Sequence, residues 1–424
     1  MLAVLVACGS NGNHPTDATN DAPPSDAERS ADAPADAAPR MQLANGGVQL
    51  LITGPNVGLQ ITPANLGSDA DLIEIHQEFY GVPWDQLIAH TAPPAPWVAM
   101  MDSIAASAHA TGKPIFLSVS MLDGGRGTLA PKVTVDGSGN LGTDAGWAAS
   151  CYDFASDGSA AVYQQAYLDY VDWMIDEFAP SYINFAIEVN LFFEKCPSAT
   201  AGLIGVANAA YAAIKAKQAS LVAFPSFQID HLYGVADGSC PGSDQDACFD
   251  TNYAQVAPMM RDRFAMSTYP IQLGGMSVAQ LPADWFTRGA ARGGERAVVA
   301  ETGTNDTPTV IDDPTNGCVQ LIPGSDADEG GYLARVLGDG AAAHMDFVNW
   351  WSDRDLVVSQ LMTNCPCTFD ATWCEVEAEF RGSNVATEDL DELGLKVFGT
   401  MGLRDYNGNP KSFYATWANA RGQE

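Results

Sequence analysis

The chain has 424 residues, 46% of them apolar, enough for one large core or for two or three average domains. Its 52 acidic and 20 basic residues give a formal net charge of −32, which repels nucleic acid and anionic membrane surfaces and suits a neutral ligand. Nine cysteines are few for a small disulfide scaffold but many for a protein of a reducing compartment.

Residues 1–7 read M-L-A-V-L-V-A and lead into Cys8. L-V-A-C resembles the lipobox of bacterial lipoproteins, and the resemblance implies that Cys8 is acylated and becomes the mature N-terminus. Residues 9–40 are Ala, Asp, Pro, Ser and Asn with almost no large apolar side chain, so they cannot offset the entropy of ordering and read as a tether. Residues 41–424 then form one folded domain, expected to be exported, held at the cell envelope by its lipid and otherwise monomeric. No other apolar run is long enough to span a bilayer.

Setting Cys8 aside leaves Cys151, Cys196, Cys240, Cys248, Cys318, Cys365, Cys367 and Cys374, an even number that allows up to four disulfides after export. We read Cys240–Cys248 and Cys151–Cys196 as two pairs and leave the other four open. Zinc on Cys365, Cys367 and Cys374 is disfavoured, because no histidine lies near and the spacing matches no common zinc module.

From residue 41 onward, eight short apolar runs alternate with longer amphipathic stretches. The runs are 48–53, 72–76, 114–121, 182–188, 221–227, 264–270, 297–303 and 346–351. Several are almost continuously apolar, as parallel strands covered on both faces must be. Helices are expected at 97–111, 159–178, 199–218 and 327–342. In the second of these Tyr163, Ala166, Tyr167, Tyr170, Trp173, Met174 and Phe178 keep the three-four spacing of a helix packed on a sheet. Eight strand–helix units predict an α/β fold of the closed (β/α)8 TIM-barrel type. No G-x-G-x-x-G follows the first run, which weakens a dinucleotide-binding alternative. All eight remaining cysteines then fall in loops at the C-terminal face, stiffening the rim where barrels build their sites.

In such a barrel the informative positions are polar residues at strand ends. Glu188 follows F-A-I at the end of strand four, and Glu301 follows V-V-A at the end of strand seven. One strand-end glutamate is unremarkable. Two on opposite sides of one mouth supply the two carboxylates that glycoside hydrolysis requires, one delivering a proton and one staying ionised. The proton donor needs the more desolvated place.

Glutamates ending strands four and seven resemble glycoside hydrolase clan A, the retaining TIM-barrel glycosidases. V-A-E-T-G (299–303) resembles the nucleophile strand of its arabinogalactan endo-β-1,4-galactanase family. F-A-M-S-T-Y-P (264–270) resembles the clan's sixth strand, which implies that Tyr269 hydrogen-bonds the nucleophile. V-N-W-W (348–351) resembles its eighth, placing Trp350 or Trp351 as an aromatic floor beneath the sugar. The M-G-L-R-D-Y-N-G-N-P-K-S-F-Y-A-T-W ending is also similar, and the element order corresponds over residues 46–420. The resemblance implies Glu188 as acid/base, Glu301 as nucleophile, and no metal or organic cofactor. One departure stands out. The clan's Asn-Glu at strand four is Ile187-Glu188 here, with Asn190 two places later, so the contact to the sugar 2-hydroxyl is not carried over.

His76 and Glu78 after strand two, Asp123 after strand three, and Asp230 and His231 after strand five are further candidates for substrate contact. Asp353 and Asp355 could attract a cation, but two carboxylates alone make no site. A metal-dependent hydrolase is disfavoured by only six histidines and no H-x-H on an early strand. A non-catalytic carbohydrate-binding lipoprotein is the alternative, and Ile187 is the feature that favours it. The first prediction concerns the anchor. Made behind a complete signal, the protein should partition into detergent, and Cys8→Ser should release it; a soluble product in both cases would contradict acylation.

Overall fold

The computed structural model describes residues 40–46, 63–236, 240, 244–307, 309–313, 317–322, 324–355 and 398–422. Cys8, the tether, the run 48–53, and Cys365, Cys367 and Cys374 lie outside the described residues.

Eight parallel strands form the wall. They are β1 (Gln42–Gly46), β2 (Leu72–His76), β3 (Ile115–Ser118), β4 (Tyr182–Asn184), β5 (Val222–Phe224 and Ser226–Gln228), β6 (Arg263–Thr268), β7 (Arg296–Thr302) and β8 (Phe347–Trp351). β1 pairs with both β2 and β8. The ring closes through β5, where Pro225 separates two segments. The first pairs with β4 and the second with β6. A proline cannot donate to a ladder, so the strand breaks where it changes partner. The amphipathic stretches form the outer helices Ala95–Ala110, Ala160–Phe178, Thr200–Lys217 and Asp326–Ala342. The fold is the expected TIM barrel.

The first strand differs from the expectation. It is Q-L-A-N-G at 42–46, not the more apolar run 48–53. Leu43 packs toward the helices and Ala44 into the barrel, both fully buried. One apolar residue per face leaves no period to read, so the richer run beside it drew the assignment.

Alternation along the strands divides the barrel interior into two levels. Ala44, Leu72, Phe116, Phe224, Ala265, Val298, Ala300 and Phe347 form a small core of their own, with the Phe116 and Phe347 rings 4.9 Å apart. One step further toward the C-terminal ends, the inward side chains turn polar: Glu74, Ser118, Asn184, Ser226, Ser267 and Asn349, all buried. Apolar packing closes the lower barrel and a hydrogen-bonded layer floors the upper mouth.

The loops at that mouth carry two disulfides, Cys151–Cys196 and Cys240–Cys248, with Cα atoms 5.2 and 6.3 Å apart. Both are the pairs read from the sequence. Not every cysteine is in a loop, however. Cys248 sits within the helix Gln245–Val256, and Cys318 lies on the second strand of the hairpin Thr309–Asp313/Gly317–Ile322.

Helices approach the wall closely at small residues. A Cβ at Gly289, in the helix Arg288–Gly293, would sit 2.1 Å from the Phe264 ring of β6. Gly289→Ala should therefore cost about 1–3 kcal/mol through overpacking and lower the melting temperature. An unchanged melt would show that the Phe264 ring yields freely.

Candidate active site

Glu301 reaches the mouth through an irregularity in β7. Val298 and Ala300 face the interior, so strict alternation would turn Glu301 outward to the helices. The pairing of β7 with β6 shifts register between Val299 and Glu301, and this bulge re-aims the side chain inward. There Glu301 is 9% exposed and accepts a hydrogen bond from the Tyr269 hydroxyl. Tyr269 follows β6 and is itself buried.

Glu188 arrives differently. The fourth strand stops at Asn184, so Glu188 does not end it. Instead it stands four residues on, in a turn with φ +47°, just before the helix Asn190–Lys195. A bulky residue adopts that conformation only when its surroundings impose it. Its N–H donates to Ser226 Oγ at 3.0 Å, and its carboxylate accepts from Ser267 Oγ at 2.6 Å and from Arg126 Nη2 at 3.1 Å.

Beneath the pair lies a continuous polar floor. Glu74 accepts from Ser118 at 2.8 Å, from Asn349 Nδ2 at 2.9 Å and from the Trp351 indole at 3.1 Å. His76 is sandwiched between Glu74 (Nδ1, 3.1 Å) and Glu78 (Nε2, 3.2 Å), with its ring centroid 5.6 Å from that of Trp351. Glu78 also pairs with Arg126.

The remaining candidates separate into those that face the mouth and those that brace it. Trp351 continues the inward series Phe347, Asn349. Trp350 points the other way, fully buried against Tyr332, with its indole N–H donating to Met401 O at 2.9 Å. Trp350 is therefore a core residue rather than part of a floor. The Asn190 amide donates to and accepts from the Gln228 backbone, tying its helix to β5. Asp123 accepts from the Gly127 and Thr128 N–H groups and shapes its own loop. Asp230 accepts from the Tyr269 N–H at 2.8 Å and from the Thr268 hydroxyl at 3.1 Å, with burial pushing its carboxyl up to about 6. It thereby fixes the backbone of the tyrosine that serves Glu301. His231 stands half-buried, 2.8 Å from Glu194 of the helix that follows Glu188.

Asp353 and Asp355 are buried. Asp355 meets Lys411 at 2.7 Å, and Asp353 hydrogen-bonds Asp69. That ammonium also faces Asp306 at 3.0 Å and Glu329 at 3.3 Å, taking the place of a cation. Among the described residues no group of three or more His, Cys, Asp or Glu side chains is placed to hold a metal ion. A cavity of about 460 Å³, lined by Tyr211, Tyr253, Met260, Arg261 and Glu295, lies before β6 and β7, at the opposite end from the carboxylates.

Arg126 was not among the sequence candidates. Its signal was compositional, since it is the only arginine between Arg40 and Arg261, set in D-G-G-R-G after the third strand.

Comparison with solved structures supports the fold. No protein-family model matches the chain, and no curated protein matches it. Among solved structures it is similar to the exo-β-1,4-mannosidase Op5Man5 from Opitutaceae bacterium strain TAV5, with a TM-score of 0.54 and 13% identity over 90% of this chain and 59% of that one. A GH5_18 protein from Bifidobacterium longum subsp. longum, in complex with Manβ1-4GlcNAc, gives a TM-score of 0.51 and 12% identity over 85% and 71%. A fungal β-1,4-galactanase gives 0.46 and 13% over 84% and 90%, too loose to favour a galactanase. At such identities the likeness is one of fold, the expected barrel.

In burial the two glutamates differ in the opposite sense to the sequence expectation. Glu301 is the more buried. Burial and then the Glu188 charge push its carboxyl up to about 7, against the pull of His76 and the Tyr269 hydrogen bond. For His76 burial acts to lower the value, but the Glu74 hydrogen bond and charge win and raise it. A carboxyl at about 7 folded and 4.5 unfolded binds more protons in the native state between those values, so its contribution to stability falls as pH rises through that window. Glu301→Gln should therefore stabilise the fold by up to roughly 3 kcal/mol at pH 8 and by much less at pH 5. Equal melting shifts at the two pH values would contradict the burial of that charge.

Proposed function

We propose that the chain is a glycosidase that cleaves an uncharged, β-linked poly- or oligosaccharide by a retaining mechanism. Glu188 is the acid/base and Glu301 the nucleophile. One observation carries the reading: two carboxylates, delivered by a strained turn after β4 and a bulge in β7, come within electrostatic reach of each other in one barrel mouth. The fold likeness to an exo-β-1,4-mannosidase supports it, and so does a GH5_18 neighbour bound to a β1-4 disaccharide.

In the first step Glu188 gives its proton to the glycosidic oxygen while Glu301 attacks the anomeric carbon. In the second, Glu188 takes a proton from water, which displaces Glu301. Tyr269 orients Glu301 and steadies its negative charge. Trp351, the inward-facing tryptophan, supports the floor beneath the sugar through His76 and Glu74. In the free protein burial favours the proton on Glu301, and the retaining step requires it on Glu188 when the nucleophile attacks. No cofactor is needed for this chemistry. An uncharged substrate suits a mouth whose nearest guanidinium, Arg126, is already engaged by Glu78 and Glu188. We further propose that the enzyme acts as a monomer at the cell envelope, anchored through acylated Cys8. Among the described residues no helix is long and apolar enough to cross a membrane.

A reducing-sugar screen over β-mannans, β-galactans, β-glucans and xylans tests the assignment. Turnover of at least one is expected, with a loss of at least about a hundredfold in both Glu188→Gln and Glu301→Gln. Proton NMR of the first product should show the anomeric configuration retained, as a carboxyl separation of about 5–5.5 Å requires. Inversion would make Glu301 a base. Binding without turnover would leave a carbohydrate-binding protein.

A further inference from the structure

Among the described residues, six that are not glycine have φ between +43° and +55°. Three of them, Arg126, Cys151 and Glu188, belong to a single cluster at the barrel mouth. Each left-handed residue costs free energy and persists only where neighbours over-determine it. Here the fastenings can be followed bond by bond. The Arg126 side chain is 4% exposed, and its Nη1 donates to its own loop at Asp123 O, 2.8 Å away. Asp123 in turn holds the Gly127 and Thr128 N–H groups. The Cys151 N–H donates to Gly127 O at 2.8 Å, and Lys195 Nζ to Gly125 O. Cys151 is bonded to Cys196, which ends the short helix that follows Glu188. The loop bearing Arg126 and the segment bearing Glu188 are thus joined by the Arg126–Glu188 ion pair inside the mouth, by the Lys195–Gly125 hydrogen bond, and at the rim by the disulfide, whose Cys151 hydrogen-bonds Gly127.

We propose that Arg126 is a positioning residue for Glu188, and that the Cys151–Cys196 disulfide holds the guanidinium in place. The inference rests on Glu188 being the acid/base for its catalytic consequence, though not for its geometry. As the proton leaves Glu188 for the glycosidic oxygen, the bond from the anomeric carbon to that oxygen breaks and its electron pair stays on the oxygen. The carboxylate left on Glu188 develops its charge 3.1 Å from Arg126, so the ion pair strengthens as the proton departs. Glu78 serves as the second anchor, keeping the guanidinium from following Glu188 alone.

Carbodiimide coupling of glycinamide to the Glu188 carboxyl, followed by peptide mass spectrometry, reads the pairing without any substrate. Coupling at Glu188 should be about tenfold faster in Arg126→Met, the equivalent of losing one charge-assisted hydrogen bond. Arg126→Lys, which keeps the charge but loses the fork, should fall between. Cys151→Ser/Cys196→Ser should also be faster than wild type, while Cys240→Ser/Cys248→Ser should not. If Arg126→Met does not fold, reduction of the folded wild type by a phosphine needs no substitution and should give the same acceleration. Unchanged coupling at Glu188 in these proteins would overturn the proposal. Where the screen finds a substrate, the Arg126 variants should lose more kcat on the glycan than on its 2,4-dinitrophenyl glycoside, whose leaving group needs no proton. Equal losses on both would overturn the catalytic part. If coupling accelerates but Glu188→Gln stays active, the positioning stands and the acid/base assignment falls.

Discussion

Two negative charges brought together in a place sheltered from water form the constraint on which this site depends. Glu188 and Glu301 repel each other, and burial magnifies the repulsion. The surroundings answer it with donors rather than with bulk solvent. Arg126 and Ser267 serve one carboxylate, Tyr269 serves the other, and His76 lies between Glu74 and Glu78 on the floor below. A buried pair of this kind holds fewer charges than its formula suggests, because a proton is easily retained between two such acids. That property is a cost to the fold and an asset to acid–base chemistry.

The barrel makes the arrangement possible by separating tasks along its axis. Aromatic and aliphatic side chains fill the lower interior, so closure of the ring does not depend on the polar layer above. The upper layer can then consist of serines, asparagines and a glutamate that bond to one another and orient what lies over them. Deviations from regular geometry sit where these layers meet the loops. A bulge turns Glu301 inward, a left-handed turn carries Glu188 beyond its strand, and Pro225 breaks the strand that supplies Ser226. Function here is placed by irregularities in an otherwise repetitive wall.

That also explains which parts were legible in the sequence. Seven of the eight strands overlap the apolar runs, and Leu72–His76 matches its run at both ends, because buried parallel strands announce themselves by continuous hydrophobicity. β1 was missed, since Q-L-A-N-G shows one apolar residue to each face. Both glutamates could be found by position, but their routes to the mouth could not. A bulge leaves no mark in V-V-A-E-T, and F-A-I-E reads as strand although the ladder ends at Asn184. Adjacent tryptophans on one strand must face opposite ways, but sequence could not say which faced in; the structure puts Trp351 over His76 and Trp350 in the core. Arg126 was overlooked because a guanidinium in a glycine-rich loop resembles any solvated rim residue. Only its contacts across 62 positions to Glu188 distinguish it.

The account stands on Glu301 forming a covalent bond to the sugar. The most direct measurement is mass spectrometry of peptides after treatment with the 2-deoxy-2-fluoroglycosyl fluoride of the sugar that the enzyme cleaves. Fluorine at that position slows breakdown of the intermediate more than its formation, so the glycosyl group accumulates on the nucleophile. The account predicts one adduct, on the peptide carrying Glu301, absent from Glu301→Gln and still formed in Glu188→Gln with so good a leaving group. An adduct on Glu188 or on another residue, or turnover of the fluoride with no adduct at all, would contradict it.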